Sequence, residues 1–156
     1  MTLTPRWRKA ILTLHVISAV GWLGADLVLL TFGIAGLTGS DPGIVYRAMG
    51  LIGTVLFVPL SLAVWAIGVF NAWATPWGLF KHWWVVVKLA LTTVMLGLVF
   101  FALRPQLLDA FALGADLPQE QRVSLLAAPI VSSSLLVFAT VVSTYKPWGR
   151  IKPVRR

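Results

Sequence analysis

Four apolar stretches divide the chain. They cover residues 10–37, 48–73, 83–103 and 123–142. Each reaches the ~20 mainly apolar residues that a helix needs to cross the hydrocarbon core of a bilayer. Polar connections separate them. Residues 38–47, TGSDPGIVYR, combine Gly, Ser, Asp and Pro turn chemistry. Residues 75–82, TPWGLFKH, make a turn short enough to leave the second and third helices as antiparallel neighbours. Residues 105–122 form the longest connection. It holds Asp109, Asp116 and Glu120, three of the five acidic residues, and its LLDAFAL piece reads as a short interfacial helix. The pattern predicts one all-α domain, a four-helix transmembrane bundle. Pro59 lies inside the second stretch, where it removes a backbone bond and predicts a kink. Pro129 stands in the first turns of the fourth and is milder. Ser132, Ser133 and Ser134 predict a close approach between helices. No internal repeat is long enough to argue two inverted halves, which disfavours a transporter of the broken-helix type.

Composition sharpens this picture. The chain is 58% hydrophobic and 12% charged, against about 25% charged residues in soluble domains. Its mean hydropathy is +0.87. The net charge of +8 does not indicate a nucleic-acid partner, because the basic residues sit at the ends of the apolar runs, where they act as a topology signal. One side collects Arg6, Arg8, Lys9, Lys81, Lys146, Arg150, Lys152, Arg155 and Arg156; the other has Arg47, Arg104 and Arg122. That asymmetry predicts both termini in the cytoplasm and a multi-pass protein of the bacterial inner or plasma membrane. Trp7, Trp73, Trp77, Trp83, Trp84 and Trp148 gather toward the inner ends, as an aromatic belt does. The apolar run after Arg6, Arg8 and Lys9 far exceeds the ~7–15 residues of a signal-peptide core, so it reads as an uncleaved first span. There is no cysteine, which excludes disulfides, thiolate metal sites and iron–sulfur clusters.

Candidate chemistry lies in the ionisable residues inside the spans. At ~100° per residue, His15, Ser18, Trp22 and Asp26 fall on one stripe of the first helix. His15 and Asp26 stand about 16 Å apart along the axis, too far to bond each other. Lys88 lies in the third span, five residues past its start at Trp83, as His15 lies five past Ala10. The first and third helices run the same way. Both residues therefore belong at about 7–8 Å into the hydrocarbon from the inner boundary. If their faces meet, an imidazole and an amine converge in one buried layer, where neutral nitrogens are able to ligate a metal or a haem iron. Each residue also has a plainer reading. His15 can bond a neighbouring helix, Lys88 can snorkel to the interface, and Asp26, near the midplane, can be a protonated hydrogen-bonding group rather than a relay. His82, beside Lys81, reads as a solvated interfacial histidine.

Two resemblances extend this reading. GWLGA at 21–25, VPLSLA at 58–63, WGLFKHWWVVVKL at 77–89 and STYKPWG at 143–149 resemble a group of four-span actinobacterial integral membrane proteins with no assigned function. More distantly, LHVISAVGW at 14–22 is similar to the first helix of the copper-resistance D-type membrane domain and of the short bacterial protoporphyrinogen IX oxidase. VKLAL at 87–91 resembles part of a later helix of that oxidase family. The second resemblance implies haem b, with His15 and Lys88 as the residues on which binding depends. The first span departs from the oxidase pattern: it has no arginine after Arg8, and its distinctive polar residue is Asp26.

Three functions follow as expectations. The first is a haem b or porphyrin protein with redox activity, in which His15 is an iron ligand, Lys88 a second ligand or a propionate or proton partner, Trp22 part of the pocket, and Asp26 a residue that tunes its outer part. The second is a non-enzymatic scaffold or accessory subunit whose polar residues lock helices together. The third is a small metal-ion transport unit, for which two histidines and three methionines make a poor soft-metal pathway. The bilayer is the expected partner. A membrane redox or complex partner and a homodimer are compatible with the chain, although no strong small-xxx-small face marks a dimer.

Overall fold

The computed structural model describes residues 4–74, 78–149 and 151. Thr75, Pro76, Trp77, Arg150, Lys152, Arg155 and Arg156, which carry parts of the turn, aromatic-belt and charge readings above, lie outside them. Four helices are long and apolar enough to cross a membrane: α1 (Pro5–Leu37), α2 (Pro42–Ala74), α3 (Trp83–Asp116) and α4 (Gln119–Tyr145). The chain is an all-α four-helix bundle. Helices suit this environment because they satisfy every backbone group within the segment.

Local chemistry sets the ends. α1 and α2 each begin with a proline in the first turn, where a missing N–H costs nothing. The Asp41 side chain caps α2 by accepting from Gly43 N at 2.8 Å. This cap starts α2 at Pro42, ahead of the residue 48 at which the apolar pattern begins. α4 stops at Lys146, the one non-glycine described residue with a positive φ (48°), ahead of Pro147.

Of the three prolines inside the helices, Pro59 and Pro105 are absorbed by wide π turns, while Pro129 stands within α4 without one. In α2 the turn is Gly53–Phe57, just before Pro59; in α3 it is Val99–Leu103, just before Pro105. The residue after each turn donates five positions back, Val58 N to Gly53 O and Arg104 N to Val99 O. The extra residue in the turn makes room for the proline ring, which would otherwise meet the preceding turn. Because of this, α3 runs through Pro105 to Asp116. The stretch expected as a long connection with a short interfacial helix is instead the outer part of α3.

Each helix packs on its two sequence neighbours, and α1 closes the ring against α4. The core is formed by Trp22 and Leu29, by Tyr46, Met49 and Phe57, by Met95 and Leu107, and by Leu125 and Leu136. Glycines bring the backbones together at the end that holds the 38–41 connection. A Cβ on Gly33 would lie 3.1 Å from Leu126 Cα, and one on Gly53 2.5 Å from Leu107 Cδ2. Only 17–28% of each apolar stretch is buried inside the bundle. The remainder is apolar and outward-facing, as with Val20 (65% exposed), Val55 (68%) and Phe101 (88%). A surface this apolar belongs against lipid, which makes this a multi-pass membrane protein.

Candidate functional site: a basic cavity at one end of the bundle

Toward the end that carries both chain termini the four helices part around a cavity of about 670 Å³. This is within the ~300–1,000 Å³ of small-molecule and cofactor sites. His15 and Trp22 line it from α1, Gly68 and Asn71 from α2, Lys88 from α3 and Ser143 from α4. Three of the four candidate residues thus meet in one space.

His15 is held by α2. Its Nδ1 is buried without a hydrogen-bond partner. Gly68 makes room for the imidazole: a Cβ there would stand 2.9 Å from His15 Cε1. Lys88 reaches across to α4, where its Nζ donates to Ser143 Oγ at 3.2 Å. No hydrogen bond joins the two residues, although both line the same cavity. The layer predicted from their matching depths contains both, with Ser143 as a partner that no spacing argument points to.

Trp22 forms the inner floor. It is 1% exposed, packs on Phe57 at 6.2 Å between ring centroids, and leaves Nε1 without a hydrogen-bond partner. Asp26 is one turn further on and does not line the cavity. Its carboxyl is fully buried, accepts from Ser132 Oγ through Oδ2, and leaves Oδ1 unpartnered. Of the three serines expected to permit close packing, Ser132 makes this cross-helix bond, while Ser133 and Ser134 donate to carbonyls of their own helix. Ser18 shares the stripe of His15 but not the cavity.

The mouth is basic. Arg8 and Lys9 of α1 line it, as does Lys146 after α4, whose ammonium lies 5.8 Å from the centre of the Trp84 ring. Among the described residues no Asp or Glu lines the cavity. His82 differs from expectation: it is 8% exposed, with its ring 6.2 Å from that of Trp84, and is not a solvated interfacial group. Its neighbour Lys81 offers its carbonyl to Ile151 N at 3.0 Å, which ties the chain beyond α4 to this end. Trp7, Trp73, Trp83 and Trp148 are exposed here, while Trp84 is buried.

Among the described residues no three His, Cys, Asp or Glu side chains come together as a metal-holding group. A bare cation would find one imidazole and one amine. A haem iron needs no more than one or two axial ligands, since its macrocycle supplies the rest. Comparison with known protein families, with curated proteins and with solved structures finds no match for this chain.

Proposed function

We propose that this is an integral membrane protein that binds haem b or a related porphyrin in the cavity between its helices, in a bacterial inner or plasma membrane with both termini cytoplasmic. The observation that carries the proposal is the state of His15. Its ring is seated against α2, where Gly68 leaves the space that a Cβ would fill. Its Nδ1 is a buried polar atom with no partner, the kind of group that a ligand completes. His15 lines a cavity with apolar walls and a size suited to a cofactor. The resemblance of LHVISAVGW and VKLAL to the protoporphyrinogen oxidase family points to the same pair, His15 and Lys88.

In this reading His15 would hold the haem iron. Because Nδ1 is enclosed against α2, ligation requires the imidazole to turn toward the cavity, which leaves room for it. Lys88, held by Ser143, is a second ligand or a proton donor in the same layer. Trp22 closes the site from the bundle centre, and the apolar walls exclude water. A bound haem supplies one-electron chemistry. The test is an absorbance spectrum of the full chain purified from haem-replete cells. A Soret band that His15→Ala abolishes or shifts is expected; no band, with none after added haem, overturns the reading.

The cross-helix bonds Asp26–Ser132 and Lys88–Ser143 favour a second reading, a scaffold or accessory subunit held together by buried polar pairs. There His15→Gln leaves folding and phenotype intact.

A further inference from the structure

Asp26 stands one turn beyond Trp22, next to polar groups that the fold leaves open. Trp22 Nε1, a donor, and Asp26 Oδ1, an acceptor, are both buried without a hydrogen-bond partner. Four residues separate them, so they lie on one face of α1 about 6 Å apart along the axis. A carbonyl of α2 joins them. Val58 N is spent on Gly53 O, and Pro59 has no N–H. Neither residue that ordinarily serves Thr54 O therefore donates to it. α1 packs on this π turn, with Trp22 against Phe57. The two helices run antiparallel, so Asp26, four residues outward of Trp22, comes level with Gly53 and Thr54, just outward of Phe57. No other ionisable side chain shares this depth. Inward stand His15 of α1 and Lys88 of α3; outward stand Tyr46 and Arg47 of α2, Arg104 of α3 and Arg122 of α4. A lone carboxyl in hydrocarbon, with no cation beside it, is a group that takes up and returns a proton.

We propose that Asp26 is a proton-binding site loaded from the cavity past Trp22, through a water molecule held by the indole N–H, by Oδ1 and by the Thr54 carbonyl. The site goes beyond the porphyrin reading and does not depend on it. Such a water accepts from Nε1 and donates to the two oxygens, which gives it the ~3 hydrogen bonds usual for a buried water. Its second lone pair takes a proton arriving from the cavity while one of its own protons passes to Oδ1. One O–H bond forms on the carboxyl, one breaks on the water, and the water is restored. Ser132 donates to Oδ2, which keeps the exchanged proton on Oδ1. Outward of Asp26 the buried side chains of Leu29, Met49 and Leu125 close the path, whereas Trp22 lines the cavity. The site thus gives chemistry in the cavity a proton store that is shut off from the opposite end of the bundle.

The experiment is infrared difference spectroscopy on the full chain in detergent, with no added ligand, between acid and alkaline buffer and after transfer from H2O to D2O. A protonated-carboxyl stretch is expected that is lost at alkaline pH, moves to lower frequency in D2O and is absent from Asp26→Asn. Trp22→Phe keeps a ring in place and removes the N–H; it is expected to slow the D2O response of this band by about tenfold, the scale of one hydrogen bond. Pro59→Ala returns an N–H to the π turn and is expected to slow the response in the same direction. Where circular dichroism shows that Trp22→Phe does not fold, Pro59→Ala carries the same test. No carboxyl band that Asp26→Asn removes, or a band that ignores both pH and D2O, overturns the site. Exchange as fast in the folded Trp22→Phe as in the wild type overturns the route past Trp22. Each result is read without a porphyrin, so the haem spectrum and this site stand or fall separately.

Discussion

Asp26 has a bonding pattern that predicts its own behaviour. Its carboxyl is fully buried, and Ser132 is the hydrogen-bond partner found for it. In a membrane interior such cross-helix bonds contribute ~0.6 kcal/mol on average and up to ~1.7 kcal/mol. A double-mutant cycle of Asp26→Asn and Ser132→Ala, read by unfolding of the detergent-solubilised protein, is expected to give a coupling at the upper end of that range, because no other side chain supports Oδ1. A coupling of zero removes the pair from the forces that join α1 to α4. Gly68 offers a second test at this scale. In Gly68→Ala the new methyl meets His15 Cε1 at 2.9 Å, so the ring has to shift. Haem titration is expected to give a shifted Soret band and weaker binding in this variant. Gly97→Ala meets nothing within 4 Å and leaves the spectrum unchanged.

The helices owe their positions to glycine and proline as much as to apolar patterning. A Cβ on Gly50 would run into the α3 backbone at Phe111 N, 2.5 Å away, whereas one on Gly53 meets only side-chain atoms of Leu107. Backbone cannot step aside and a leucine can. Gly50→Ala is therefore expected to destabilise by ~3 kcal/mol or more, the upper range of overpacking. Gly53→Ala is expected to cost less and to be partly relieved by Leu107→Ala, with a coupling of about 1 kcal/mol between the two. Additive effects at 53 and 107 would mean that the helices separate rather than repack. The same elements explain where sequence reading succeeded and where it stopped. The number and type of the helices follow from four long apolar runs, which few structures other than membrane helices can satisfy. Pro105 read as a terminus because a proline normally ends a helix, and nothing in VFFAL announces that a π turn will absorb it. The shared depth of His15 and Lys88 was legible because rise per residue is fixed. Gly68, Ser143 and Ser132 were not legible as their partners, because pairing between helices depends on rotation about each axis, which spacing within one helix does not record.

At the scale of the whole molecule the dominant feature is the separation of charge along the bundle. Arg6, Arg8, Lys9, Lys81 and Lys146 stand at one end of the described helices without an acidic residue among them. Asp41, Asp109, Asp116 and Glu120 stand at the other, together with Arg47, Arg104 and Arg122. There Arg122 is engaged: it donates to the Leu117 and Ala115 carbonyls and lies 5.3 Å from the centre of the Tyr46 ring. An arginine tied into its own loop holds that loop together, and acids beside it carry little topological weight, since orientation is set by excess Lys and Arg near the helix ends. The basic end should therefore stay in the cytoplasm, which also places the cavity mouth on the cytoplasmic side. Fusions test this. A fluorescent protein joined after Arg156 is expected to fluoresce, and alkaline phosphatase at the same point to be inactive. Phosphatase inserted between Gly39 and Ser40, in the connection between α1 and α2, is expected to be active. Replacing Arg6, Arg8 and Lys9 with Gln should weaken this preference without inverting it, because Lys81 and Lys146 hold the next two helix ends on the same side. The opposite result, active phosphatase after Arg156 in the unaltered chain, would turn the cavity mouth to the far side of the membrane.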